Sequence, residues 1–278
     1  MQCRPGVRCR ADHLLAASPL PITGRCPSTT WPRDHAPVAY AQVVEIWSEL
    51  AARVQPTGAL SLDRTSPLIV LGVSVAIIVI GPVWRVARLG VTFVHELGHA
   101  VVGILCGRKF TGFVLRQDAS GHAVTRGPTR GLGRVLTTWA GYPAPAIVGG
   151  ALVAAALRGW AAPVLTAALL ITLMALIRVR SFLTAVVTVG VLVGLGALWW
   201  LRADDWQGLV LLAVGGTLVV GAWRHLGAVM AVRSSTSDPA VLAALTRIPA
   251  LLWNGSFALV CGLASWFVVV QVLAVWPG

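Results

Sequence analysis

The stretch that decides the fold is Leu89-Gly90-Val91-Thr92-Phe93-Val94-His95-Glu96-Leu97-Gly98-His99-Ala100-Val101-Val102-Gly103-Ile104-Leu105-Cys106. As a helix it spans about 27 Å, enough to traverse most of a hydrocarbon core. Apart from His95, Glu96 and His99 it is apolar or small. Three ionisable groups in such a run cost several kcal/mol unless they have a use, so they mark a site. Their spacing is H-E-x-x-H. Positions i and i+4 share a helix face, so the two imidazoles can hold one metal ion together. Glu96 sits beside that metal without binding it, placed to take a proton from a water the metal has made acidic. With six His and three Glu in the chain, chance placement produces this motif in about one such chain in a thousand, which sets its weight against the usual false-positive risk of short motifs.

The whole composition agrees with a membrane setting. The chain has 278 residues, 56% hydrophobic and 12% charged, with a mean hydropathy of +0.78. A soluble domain carries about 25% charged residues. The net charge of +12 does not point to nucleic acid, because no basic face with interleaved aromatics appears. The arginines stand between apolar runs, where they meet anionic headgroups and set orientation. The five cysteines, an odd number, include no C-x-x-C pair, so neither a cysteine zinc site nor a disulfide framework is supported.

Working outward, residues 1–38 are rich in Arg and Pro without apolar periodicity and read as a disordered tail. Residues 39–54 place Val43, Trp47, Leu50 and Val54 at helical spacing, an amphipathic helix on the membrane surface or docked on the bundle. Seven apolar segments follow, at about 67–84, 89–106, 133–156, 160–177, 181–201, 207–223 and 249–275, each within reach of a span. The third contains Gly141, Pro143, Pro145, Gly149 and Gly150 and is expected to be broken. Between the second and third, β-prone runs flank Asp118-Ala119-Ser120-Gly121, the pattern of a hairpin or of a solvated loop. The expected fold is therefore an all-α polytopic membrane protein of six to seven transmembrane helices, with a small β-hairpin after the H-E-x-x-H helix. Counting Lys and Arg with the N-terminus inside gives ten in the inner loops 107–132, 178–180 and 224–248, against Arg85, Arg88, Arg158 and Arg202 outside. The excess favours a cytoplasmic N-terminus. The tryptophans near span ends read as interface anchors.

A catalytic zinc takes three protein ligands and keeps one position open. The candidates for the third are Asp118, Asp204, Asp205, Asp238, His122 and His225. The topology puts Asp204 and Asp205 on the outer side. His225, beside Arg224, reads as an interfacial residue. Asp238 lies in an inner loop just before an apolar helix, at the required depth. Asp118 is the alternative. Asp238-Pro239 is equally a standard helix start, with Asp as cap and Pro in the first turn. Asn254, the chain's one asparagine, is a possible oxyanion donor in the last span, or a residue bonding across helices.

The motif His95-Glu96-Leu97-Gly98-His99-Ala100 in an early span resembles that of the site-2 protease family of intramembrane zinc metallopeptidases. The hairpin-like residues 110–125 are similar to the membrane-associated hairpin that follows the same helix there. Ala140-Gly141-Tyr142-Pro143 resembles the family's small-residue segment in the next span. Ser237-Asp238-Pro239, with Leu242, Thr246 and Pro249, resembles a segment of a compact bacterial branch. The chain lacks the asparagine-to-Leu-Asp-Gly motif of the better-known branch, which leaves the third ligand to be decided among the six candidates. The resemblance covers about residues 67–275. It implies that 55–278 form a membrane-embedded metallopeptidase domain in a bacterial plasma membrane. It implies Zn2+ as cofactor and a membrane protein as substrate, cleaved in or beside its transmembrane segment, with the lipid bilayer and no nucleic acid as surroundings. Two other functions compete: an inactive membrane scaffold of the same fold, and an ion- or proton-coupled transporter with His95 and Glu96 in its path. No internal repeat supports the transporter.

Overall fold

The computed structural model describes residues 38–60, 65–115, 121–201, 204–232 and 234–276. The tail expected to be disordered and the alternative ligand Asp118 fall outside them, apart from Val38. By contacts the chain divides between Glu45 and Ile46, within the first helix, α1 (Val38–Val54). All the remaining elements belong to the larger unit, Ile46–Gly278.

The apolar runs become helices, and the breaks between them follow local chemistry. α2 (Thr65–Val79) ends at Ile80, and α3 (Gly81–Leu105) leaves it at 96°. Pro82 stands in the first turn of α3, where a missing amide costs nothing and the fixed φ suits helix initiation. The expected basic loop at 85–88 is helical instead, and the break falls at Ile80. Arg85 and Arg88 lie inside α3, one to two turns after its start. The α3 helix runs into a hairpin of β1 (Lys109–Leu115) and β2 (Gly121–Arg126), paired antiparallel from Lys109 with Arg126 to Leu115 with Gly121. α4 (Leu132–Trp139) and α5 (Pro143–Leu157) meet at 60°, the expected break at Gly141 and Pro143. Then come α6 (Ala161–Leu176), α7 (Phe182–Leu201), α8 (Asp204–Ala231), the short α9 (Asp238–Thr246) and α10 (Ala250–Val275).

Among the described residues, α7, α8 and α10 are each long and apolar enough to cross a membrane. The bent pairs α2–α3 and α4–α5 qualify if each is one span, and α6 is a shorter apolar helix. The class is the expected one: an all-α polytopic membrane protein with a small two-stranded sheet.

The centre is the α5–α8 crossing. A Cβ on Gly149 would lie 2.6 Å from the Gly215 carbonyl oxygen, and one on Gly215 would lie 2.7 Å from that of Gly149. Two glycines let the backbones touch, the device membrane helices use where burial from lipid gives no drive of its own. Val153, Leu157, Leu165 and Leu211 pack beside this contact. Large apolar side chains such as Leu105, Phe182, Leu251 and Trp266 are exposed, as suits a surface whose solvent is lipid.

Hydrogen bonds between loops fix the two ends of the bundle. The Thr57 amide donates to the Gly159 carbonyl (2.8 Å), and the Leu60 amide to that of Leu157 (3.3 Å). Arg53 lies over the rings of Trp199 and Trp200. Residues 53–60 thus sit where α5 and α7 end and where α6 and α8 begin. The hairpin sits at the opposite end, where the Phe113 amide donates to the Arg178 carbonyl between α6 and α7 (3.4 Å). Phe113 also meets Phe93 edge-on at 5.4 Å, which clamps the hairpin to α3.

Candidate metal centre

On α3 the side chains of Arg88, Thr92, His95 and His99 recur at i, i+4, i+7 and i+11, so they share one face. That face lines a cavity of about 490 Å³, closed by β2, the α4–α5 break, the end of α8 and the start of α9. His95 and Glu96 are 8% and 5% exposed.

Three donor atoms converge in this cavity. His95 Nε2 and His99 Nε2 lie 3.1 Å apart. Asp238 Oδ2 is 3.3 Å from the first and 3.2 Å from the second. Tetrahedral zinc with bonds of about 2.0–2.2 Å needs donors roughly 3.3–3.6 Å apart, so the triangle is close to the size the ion requires. The protonation pattern points the same way. His99 Nδ1 lies 2.7 Å from the Thr137 carbonyl oxygen, and only the ring N–H can donate there. In the neutral imidazole Nε2 then carries a lone pair, which faces the space shared with His95 Nε2 and Asp238 Oδ2, as a metal ligand's would. A carbonyl behind a ligating histidine is also the usual outer support of a metal site. The donor set and its geometry fit zinc.

The sequence allows Asp238 a second role, as a helix cap. The N-cap of α9 is Ser237, which makes no side-chain cap bond, and Pro239 stands in the first turn. The Asp238 carboxylate turns instead to the two histidines.

Backbone shape makes room for the rings. A Cβ on Gly141 would overlap His99 Nε2 and Cε1 and lie 2.7 Å from His95 Cε1. A Cβ on Gly98 would lie 2.8 Å from the Ala140 carbonyl oxygen, so α3 and the α4–α5 break touch through glycine on both sides. Tyr142 stands edge-on to His95 at 4.8 Å and stacks on Phe257 at 5.0 Å. At the start of β2, a Cβ on Gly121 would lie 2.6 Å from Glu96 Oε1, so the turn end of the hairpin lies against that carboxylate.

Of the residues singled out in the sequence, His95, Glu96, His99 and Asp238 meet here. Asn254, the candidate oxyanion donor, is not among the residues lining the cavity, and its Oδ1 is buried without a hydrogen-bond partner. Asp205 lines a separate cavity at the opposite end, beside Thr57 and Gly159. His122 lines the cavity without joining the triangle. His225, expected at the interface, lies within the cavity: its Nε2 is 3.3 Å from Thr92 Oγ1 and its ring 5.9 Å from that of His95. Thr137, Gly141, Tyr142 and the arginines Arg88 and Arg134 also line or shape the site. Only Gly141 had a local signal, its place among helix breakers.

A bundle of membrane helices closed around a buried H-E-x-x-H pair and a converging aspartate defines a class, the membrane metallopeptidases of the site-2 protease type. The chain belongs to the Peptidase M50B-like family, whose profile matches residues 68–268. No curated relative and no solved structure matches it.

Proposed function

We propose that the protein is a zinc-dependent intramembrane endopeptidase that cleaves a transmembrane or juxtamembrane segment of another membrane protein. The observation that carries this reading is the triangle of His95, His99 and Asp238, with Glu96 beside it, inside a membrane-embedded bundle. Zinc held there would acidify a water and polarise a peptide carbonyl. Glu96 takes the proton of the attacking water and passes it to the leaving nitrogen. Thr137 fixes the His99 ring through its carbonyl. Tyr142 and Phe257 wall the site on the α10 side.

A peptide bond inside a helix is hidden by its own hydrogen bonds, so the substrate must be extended before attack. The hairpin suits that task. Phe113 of β1 is bridged on its outer side to Val179, whereas β2 pairs only with β1 among the described residues. His122, Ala123 and Thr125 of β2 line the cavity. A substrate strand adding to β2 would be led past Glu96.

The hairpin end, which holds Arg108, Lys109, Arg126, Arg130, Arg178 and Arg180, is then cytoplasmic. Residues 55–60 face the other side. This placement takes the bent pair α2–α3 as one broken span; two separate spans would keep residues 55–60 on the cytoplasmic side that the charge count favours.

The test is metal analysis and cleavage on purified protein. Wild type is expected to hold one zinc per chain. Glu96→Gln keeps the zinc and loses cleavage; His95→Ala, His99→Ala and Asp238→Ala lose both. An inactive scaffold would show no cleavage in wild type, and a transporter no stoichiometric zinc. Full zinc retention in Asp238→Ala would remove Asp238 from the site.

A further inference from the structure

The cavity contains two carboxylates, Glu96 and Asp238, both occupied by the proposed peptidase chemistry. It also contains two guanidinium groups that the chemistry does not use, those of Arg88 and Arg134. Nearby arginines have partners within the protein. Arg108 donates to Thr125 Oγ1 and to the Pro128 carbonyl. Arg224 donates to the Ile78 carbonyl and lies over Trp84. The residues Arg88 and Arg134 are both partly buried, and among the described residues no hydrogen bond from either guanidinium group is found. Each has five donors in a planar fork, and both line the cavity, open to an incoming acceptor.

Their placement is ordered. Arg88 lies on the face of α3 that carries the ligands, nine residues before the midpoint of His95 and His99. α4 runs antiparallel along the second half of α3. A Cβ on Gly103 would meet Thr137, and a Cβ on Gly133 would meet Cys106. Arg134 therefore stands beyond His99, level with the end of α3. The backbone of each arginine stands about 12–14 Å along the α3 axis from the level of the two histidines, on opposite sides of it. Burial, and then the charge of Arg134, lower the Arg108 pKa from its ordinary value. A bound anion would relieve that repulsion.

We infer that Arg88 and Arg134 are substrate-recognition residues that select a peptide with an acidic side chain flanking the scissile bond. In an extended strand of about 3.3 Å per residue, 12–14 Å corresponds to about four residues on either side of the cleaved bond. This rests on the peptidase reading for the direction of the strand. Recognition of the acidic groups is separable from turnover.

The experiment measures binding to the full-length, zinc-loaded Glu96→Gln protein in neutral-lipid vesicles. The probes are fluorescent apolar peptides bearing Asp, Asn or Lys four residues from the centre on each side. The Asp peptide is expected to bind about tenfold or more tightly than the Asn peptide, the scale of one well-placed charged hydrogen-bonding pair. The preference falls with salt. The double variant Arg88→Glu/Arg134→Glu is expected to prefer the Lys peptide, while Arg88→Lys/Arg134→Lys keeps the preference for Asp. Zinc content and melting temperature show that each variant is folded. An Asp preference absent in wild type, or unchanged by charge reversal, overturns the inference. So does binding that follows the anionic-lipid fraction of the vesicles and ignores peptide charge, because the arginines then hold headgroups. Acid-selective binding by a protein that cleaves nothing would sink the peptidase reading and leave this one standing. Cleavage without charge preference would do the reverse.

Discussion

Gly141 shows how little space the candidate centre allows. Its missing side chain is filled by two imidazole edges. Gly141→Ala must push His99 off the Thr137 carbonyl or displace the start of α5. Zinc affinity is expected to fall about 10- to 100-fold, the usual effect of disturbing the support of a ligand, as read by competition with a chromophoric chelator. The chain should still fold, since α5 keeps its contacts with α8. Unchanged affinity would mean that the rings do not face this glycine. His225 makes a second point at this scale. It is buried beside His95 yet outside the donor triangle, so His225→Gln is expected to keep stoichiometric zinc. Loss of the metal in that variant would make His225 a ligand and refute the assignment of the triangle to His95, His99 and Asp238.

At the scale of elements, two contacts hold the site's supports in place. The first is the Gly149–Gly215 crossing of α5 on α8. Replacing Gly215 with leucine inserts a side chain where two backbones touch, an overpacking expected to cost about 1–3 kcal/mol, measured by thermal or denaturant unfolding in detergent. Because α5 begins at Pro143, beside Gly141 and Tyr142, the same variant should also weaken zinc binding. The second is the α2–α3 break. Its last turn leaves carbonyls without helical partners, and Arg224 of α8 donates to one of them, that of Ile78, at 2.6 Å. Arg224→Ala is expected to cost about 1.5–3 kcal/mol, the scale of a hydrogen bond from a charged donor. Faster amide exchange centred on Ile80 should reveal it. Exchange unchanged there would show that the break does not depend on the arginine.

For the whole molecule, the decisive prediction concerns sidedness. Gly58 has open space around its Cα, and Lys109 is exposed at the hairpin. Single cysteines at these positions, with the native cysteines replaced, should react with a membrane-impermeant maleimide from opposite faces. Labelling from the same face would restore two crossings before the hairpin and undo the bent α2–α3 span. Metal removal is also a test at this scale. The triangle joins α3 to α9, so a chelator is expected to lower the melting temperature of wild type and to leave Asp238→Ala unaffected.

Much of this was legible in the sequence because it rests on local rules. Apolar length gave the helices, Gly141 and Pro143 gave the broken span, the D-x-S-G flanks gave the hairpin, and the i, i+4 spacing put His95 and His99 on one face with Glu96 beside them. Gly81-Pro82 is equally local but is hidden by the continuous apolar run around it, so the sequence shows two spans where the structure has one bent pair. The remainder depended on contacts between distant segments. Nothing within α9 distinguishes an aspartate that caps a helix from one that turns to two histidines some 140 residues earlier. Nothing within α8 says that His225 faces a cavity. Those choices were made when α5 and α8 closed through their glycines and brought α3, α4 and α9 around one space, because a side chain's partner is fixed by packing, which no single segment encodes.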